Sequence, residues 1–291
     1  MILVSGANGH FSGAVIENLK RLLPDKGRFA VGTRNPDSDY ARKLAHEGIA
    51  VRRMDFNEPQ SVEDALRNIT KALFISTWDD NTVRFQQNLN AINGARAAGV
   101  RHVIYTSFIN AVPESLAEHS QRVHAPTEKM IKESGLAYTI LRHGLYAETL
   151  LGDLEQTLSS GKLQRGGGNA RIAHISRDDL GVSAAHVLAG AGHENKVYSE
   201  TAPEALSYGE IASVMSEVFG IPIVHQNFTP EEWFQHVHGN WGMPEAAARA
   251  YASTVRAFEN NEFDIVSPDY EAITGKPART IKEFFQDYSG K

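Results

Sequence analysis

The residues able to do chemistry in this 291-residue chain begin with a glycine-rich turn, Gly6-Ala-Asn-Gly9-His-Phe-Ser-Gly13. It stands directly behind the apolar run Met1-Ile-Leu-Val4 and in front of the amphipathic run from Ala14 to Leu23. Strand, turn and helix in that order make a phosphate cradle. Gly6 permits the tight turn, Gly9 lets the backbone approach a pyrophosphate, and the first N–H groups and dipole of the helix favour negative charge. Asn8, His10 and Phe11 are the other cradle candidates. The spacing departs from Gly-x-Gly-x-x-Gly, so the turn alone is a weak signal and its neighbours must decide. Arg34 ends a second apolar run, where a dinucleotide fold reads the adenosine ribose. A carboxylate there would hold the 2′-hydroxyl of NAD, whereas a cation accepts the 2′-phosphate of NADP. The stretch Gly32-Thr-Arg34-Asn35 has no acidic residue before Asp37, which points to NADPH.

Asp55 and Phe56 end a third run where an adenine edge belongs, although Asp55 also suits a plain turn. Ser76, Thr77 and Ser107 end further runs and are candidates for the nicotinamide ribose side. A proton donor is harder to find. Short-chain carbonyl reductases use Tyr-x-x-x-Lys, in which the lysine lowers the tyrosine pKa. None of the nine tyrosines has lysine four positions on, and the helix that should carry the pair has His124-Ala-Pro-Thr-Glu128 instead. Glu128 at helical spacing from Lys132 also reads as a surface pair. A hydride can nonetheless reach an electron-poor acceptor, such as a quinone, a cationic dye or an iminium, without a strong acid, and positioning then becomes the main task.

The elements that must position these residues alternate strictly. Strands at 1–4, 28–33, 49–54, 72–76, 102–106 and 137–141 are separated by helices at 14–23, 38–47, 60–68, 82–98 and 117–134, the last interrupted by Pro126. That alternation predicts an α/β fold, a Rossmann-type doubly wound parallel sheet with right-handed crossovers. Ligand chemistry then falls at the carboxyl ends of the strands, where the candidates lie. From about Tyr146 the pattern loosens into a flexible Gly166-Gly-Gly168, helix starts at Ser176, Ser207 and Thr229, and short strand-like pieces at 196–199 and 222–225. The expected division is a dinucleotide-binding domain over 1–145, with a core strand returning from the second half, and a smaller, mostly helical C-terminal substrate lobe over 146–291, with a cleft where they meet. Trp78, Phe108, Tyr146, Trp233, His236, His238, Trp241 and Met243 could wall such a cleft for a flat aromatic acceptor. His236-Val-His238 is not expected to hold a metal, because i and i+2 point apart on a helix.

A net charge of −6 and a pI near 6.1 give no broad reason to bind nucleic acid or an anionic membrane. No apolar run approaches the roughly 20 residues that cross a bilayer. The first strand begins at Met1, and a cytoplasmic protein is expected. The absence of cysteine removes disulfides, thiolate ligands and thiol nucleophiles.

The pattern as a whole, Gly6 to Gly13, Arg34, Asp55-Phe-Asn-Glu-Pro59, Leu73-Phe-Ile-Ser76, Asp80-Asn-Thr82, Ala98 to Thr106, His124-x-x-Thr-Glu128, Tyr138-Thr-Ile-Leu-Arg-His-Gly-Leu-Tyr146, Ile175 to Leu180 and His193-Glu-Asn-Lys-x-Tyr198, resembles the NmrA-like branch of the atypical short-chain dehydrogenase/reductases. Within it the similarity is greatest to the type 2 NAD(P)H:quinone oxidoreductases and triphenylmethane reductases. The resemblance implies NADPH-dependent reduction of a quinone-like, dye-like or other electron-poor conjugated acceptor by a monomer or homodimer. Two positions depart from the family: Ser12 replaces its third glycine, and His143 replaces the asparagine of its Leu-Arg-Asn. His124, His143 and Tyr146 are accordingly the catalytic candidates. A non-catalytic NADP(H) sensor, or a ketone or double-bond reductase using His143 or His124 as acid, stands as the alternative.

Overall fold

A computed structural model describes residues 1–290. The chain runs β1 (Ile2–Val4), α1 (His10–Leu22), β2 (Phe29–Thr33), α2 (Asp39–His46), β3 (Ala50–Arg53), α3 (Pro59–Ala65), β4 (Lys71–Phe74), α4 (Asn81–Ala97), β5 (His102–Phe108), α5 (Ala125–Glu133) and β6 (Ala137–His143). It continues through α6 (Leu154–Ser160), β7 (Lys162–Gly166), α7 (Arg177–Ala189), β8 (Lys196–Glu200), α8 (Tyr208–Phe219), β9 (Val224–Phe228), α9 (Pro230–Gly239), α10 (Glu245–Glu259), α11 (Asp269–Thr274) and α12 (Ile281–Ser289).

Seven strands form one sheet in the order β3-β2-β1-β4-β5-β6-β8. The pairs from β3 to β5 are parallel, with Leu3 opposite Ala30 on one side and Ala72 on the other. Strands covered on both faces read as continuous apolar runs, and every residue of β2 is buried. The chain winds outward in one direction from β1 to β3 and in the other from β4 onward, so β1 and β4 flank the switch point where such sheets bind ligands.

The chain falls into two compact units that do not follow a single cut after residue 145. The first takes in Met1–Ser107, Ala125–Arg142 and Arg177–Tyr198, and the second Phe108–His124, His143–Ser176 and Ser199–Lys291. In the first unit α1 buries Phe11, Val15, Ile16 and Leu19, the spacing of one helical face. Ser38 and Asp80 cap α2 and α4 by accepting from Ala41 and Thr82. Pro126 lies in the first turn of α5, after a wide π-type turn at Ser120–His124.

The second unit differs more from expectation. The stretch at 162–166, expected to lead into a flexible glycine run, is β7, which pairs in parallel with β9 over Lys162↔Val224 to Gly166↔Phe228. A partner so far along the chain leaves no local trace in Lys-Leu-Gln-Arg-Gly. Ser207 and Thr229 do start helices, each in a reciprocal capping box with Glu210 and Glu232, and a third box at Thr280 and Glu283 starts α12. Its core gathers Leu145, Leu150, Leu163, Ile211, Met215 and Phe285, and a satellite cluster holds Trp233, Phe234 and Val237. No helix among the described residues is long and apolar enough to cross a membrane.

Candidate functional site

The glycine turn is built as the sequence suggests and is fastened by Ser12. Gly6 adopts φ +68°, a left-handed conformation that suits glycine. The Ser12 hydroxyl donates to the carbonyl oxygens of Gly6 at 2.5 Å and Gly9 at 2.8 Å, closing the turn from inside. A Cβ on Gly9 would lie 3.2 Å from the Ser12 Oγ and 3.3 Å from the Gly6 oxygen, so the turn is tight where a phosphate would approach. Among the described residues no side chain caps α1 at Gly9, and its first turn carries no acidic residue, so the positive end of the helix dipole suits an anion.

An open groove of about 450 Å³ runs from this turn along the ends of β1 to β4. Its lining brings together the predicted Gly6, Asn8, Gly9, Arg34, Asp55, Phe56, Ser76 and Thr77. It also includes Ser5, Thr33, Asn35, Met54, Asn57, Ile75, Trp78, Asp79 and Gln87. Gln87 carried no sequence signal of its own. Thr77 donates to Gln87, whose amide donates to Asn57 at 3.1 Å, so the helix α4 stiffens the groove wall. Arg84 donates to the Ser76 Oγ at 3.2 Å, and its guanidinium lies 6.0 Å from the ring of Trp78, an exposed residue on the groove rim. Asp55 lines the groove and also accepts from the Asn57 N–H at 2.9 Å, so it serves the turn as well. At the ends of β2 and β3 stand two arginines with different occupations. Arg53 is bound bidentately by Glu58 at 2.7 and 2.6 Å, whereas among the described residues no carboxylate lies within ion-pair distance of Arg34. The donor set therefore fits a phosphorylated dinucleotide.

The side chains of three cradle and ribose candidates do not line the groove. His10 is exposed, 3.6 Å from Asp178; Phe11 is buried in the core; Ser107 is buried and donates to Glu128 at 2.7 Å. Glu128 fills the position expected of a catalytic pair, yet it is bound by Arg142 through two bonds of 2.8 and 2.7 Å and by Lys132 at 3.4 Å. The carboxylate beside it raises the Arg142 guanidinium pKa. Behind these residues Asn88 donates to the Tyr105 hydroxyl at 3.2 Å and to Thr127 at 3.1 Å, and burial pushes the Tyr105 phenol up to about 12.

In the second unit, His124 is buried beside the rings of Phe108 and His119, at 6.1 and 6.3 Å. His143 ends β6 and Glu200 ends the neighbouring β8. The His143 Nε2 lies 3.3 Å from Glu200 Oε2, and its Nδ1 lies 3.2 Å from the hydroxyl of Tyr146, which is partly exposed. The aromatic residues of α9 have a different role. Asp153 accepts from Trp241 at 2.6 Å, His236 at 3.1 Å and Arg165 at 2.9 Å, and the Arg165 guanidinium lies 5.2 Å from the Trp233 ring. Burial alone would raise the Asp153 carboxyl, but these partners hold it down at about 2. Trp233 and His236 are thus buried parts of an ion-centred cluster, while the exposed His238 donates its Nδ1–H to the Met243 carbonyl oxygen at 2.6 Å.

A parallel sheet whose switch point carries a glycine turn, an uncapped helix start and an unengaged arginine defines the class of dinucleotide-binding α/β oxidoreductases. Residues 1–289 match the NmrA-like family, and the chain belongs to it. It is 34% identical over 286 residues to quinone oxidoreductase 2 of Escherichia coli, covering 97% of this chain and 96% of that protein. The crystal structure of an E. coli NADPH-dependent quinone oxidoreductase complexed with NADPH superimposes with a TM-score of 0.91 at 30% identity, over 99% of this chain and 100% of that one. The Citrobacter triphenylmethane reductase complexed with NADP(H) gives 0.88 at 33% identity, over 98% and 99%.

Proposed function

We propose that this protein is an NADPH-dependent oxidoreductase that delivers a hydride to a quinone-like, dye-like or otherwise electron-poor conjugated acceptor. The observation that carries the reading is the groove at the switch point, where the left-handed Gly6, the open start of α1 and Arg34 face a common space. Gly6, Asn8, Gly9 and the backbone N–H groups of His10 and Phe11 hold the pyrophosphate. Arg34 binds the 2′-phosphate, Asp55 and Phe56 border the adenine, and Ser76 and Thr77 hold the ribose nearer the nicotinamide. Ser107 acts one step back, holding Glu128 in place. NADPH, when bound, supplies the hydride. The chain orients the acceptor and keeps competing water away, tasks suited to an electron-poor partner that needs no strongly activated acid. Tyr146, with His143 behind it, and His124 face the acceptor. The NADPH-bound E. coli and NADP(H)-bound Citrobacter enzymes support this assignment.

The acidic balance, −6 overall, favours a small neutral or cationic acceptor over a polyanion such as nucleic acid. The enzyme acts in the cytoplasm as a monomer or homodimer, which size-exclusion chromatography with light scattering decides. Stopped-flow loss of NADPH absorbance with a panel of quinones and triphenylmethane dyes tests the activity. Turnover with at least one acceptor is expected, and no oxidation with any of them would overturn the reading.

A further inference from the structure

We infer, resting on the cofactor placement proposed above, that Gln87 is the positioning residue that sets the spacing between the adenosine half and the nicotinamide half of the bound dinucleotide. It does so by tying the turn after β3 to the turn after β4. The sheet alone does not bring those turns together. In the order β3-β2-β1-β4 two strands stand between β3 and β4, and three strand spacings put the two about 14 Å apart. Yet Asn57, after β3, and Thr77, after β4, meet on a single side chain. The Gln87 amide oxygen accepts from the Thr77 hydroxyl, and its amide nitrogen donates to the Asn57 side-chain oxygen at 3.1 Å. All three residues line the groove. Gln87 is only 4% exposed, so its amide has little recourse to water and depends on the two turns for its hydrogen bonds.

Helix α4 reaches across because it lies tightly on α3. A Cβ on Gly94 would stand 2.7 Å from the Val62 Cγ1, closer than a side chain there would allow. That contact carries α4 beside the segment that follows Asn57, since α3 begins at Pro59. Asn90, three positions beyond Gln87 and so on the same helical face, donates to the Phe56 carbonyl at 2.7 Å. The turn that borders the adenine is therefore fastened to α4 twice, and Gln87 continues the connection to Thr77 on the nicotinamide side.

A dinucleotide is two ligands joined by a pyrophosphate. Each half makes its own contacts locally, but the joined molecule gains the advantage of linkage only when both half-sites stand at the separation that the pyrophosphate imposes. A groove already braced at that separation needs no ordering by the cofactor. Loss of the brace should weaken the whole dinucleotide and leave its halves alone. Loss of an ordinary wall contact weakens whichever half touches it.

Equilibrium binding of NADPH, followed by its fluorescence, and of adenosine 2′,5′-bisphosphate, followed by calorimetry, separates these cases. Gln87→Met keeps the unbranched side chain without its hydrogen bonds, and Asn57→Ala cuts the same tie at an exposed position on the adenine side. Each should weaken NADPH about 10-fold, the scale of one lost hydrogen bond, and change the bisphosphate by less than about twofold. The double variant should fall within about twofold of the weaker single variant, because both substitutions cut one tie. Unchanged NADPH affinity in Asn57→Ala, equal weakening of both ligands, or losses that multiply in the double variant would each overturn the bridge. Should Gln87→Met fail to fold, the two ligands measured on Asn57→Ala decide the matter. A wild-type protein that does not bind NADPH would overturn the cofactor placement itself, and the bridge with it.

Discussion

Replacing Arg34 by alanine tests the cofactor assignment at the atom that distinguishes NADPH from NADH. Arg34 is exposed on the groove rim and has no carboxylate partner among the described residues, so its removal disturbs no ion pair among them. What is lost is the contact with the 2′-phosphate. A hydrogen bond to a charged group contributes about 1.5–3 kcal/mol, which corresponds to about 10- to 100-fold in affinity. Binding of NADPH, followed by its fluorescence or by calorimetry, should weaken by that factor in Arg34→Ala. NADH, which lacks the phosphate, should change by less than about twofold. Because the contact is exposed it is screened, and the selectivity should shrink towards 1 M salt, where the Debye length is about 3 Å. Arg34→Lys keeps the charge but not the bidentate fork, and should recover part of the loss. Equal weakening of both cofactors would refute the reasoning, since it would mean that Arg34 supports the groove rather than reading the phosphate.

Glu128→Ala leaves the Arg142 guanidinium and Ser107 without their shared acceptor, and urea denaturation should show a loss of about 3–5 kcal/mol. Asp153 titrates at about 2 in the fold against an ordinary 3.8, so its stabilisation is present above about pH 4 and lost as pH falls through 2. The difference in stability between wild type and Asp153→Asn should be about 2 kcal/mol larger at neutral pH than in strong acid. Burial pushes His174 from 6.5 down to about 3, so the fold favours the neutral ring and loses stability as pH falls from 6.5 towards 3. His174→Gln should flatten that limb of the pH–stability curve, and a curve parallel to wild type would contradict the assignment.

The cradle was legible because it is encoded locally. Glycines at 6 and 9 and an uncapped helix start are neighbours in sequence, and the phosphate is read by backbone, for which the side chains need only stay out of the way. The strand ends followed from alternation, since apolar runs buried on both faces can belong only to such a sheet. Residue type says less when an aromatic or histidine side chain must be placed. Trp233 and His236 look like walls for a flat acceptor, yet the Asp153 carboxylate and Arg165 guanidinium gather them into a buried cluster. Asp153 stands at the start of α6 and Arg165 in β7, whereas the two rings belong to α9, and nothing in the linear pattern joins these segments. Glu128 similarly looks like one half of an acid–base pair, and Arg142, from the end of β6, claims it.

The same distinction explains why His143 could be flagged while Glu200 could not. His143 is conspicuous as a departure within Leu141-Arg142-His143, but a histidine alone has two nitrogens and no assigned direction. Direction comes from the sheet order, which places β8 beside β6 and so sets Glu200 against Nε2, and from the turn to Tyr146, which occupies Nδ1. One ring nitrogen therefore faces a buried carboxylate and the other a partly exposed phenol. An asparagine at that position could hold either neighbour but could not carry a proton from one to the other.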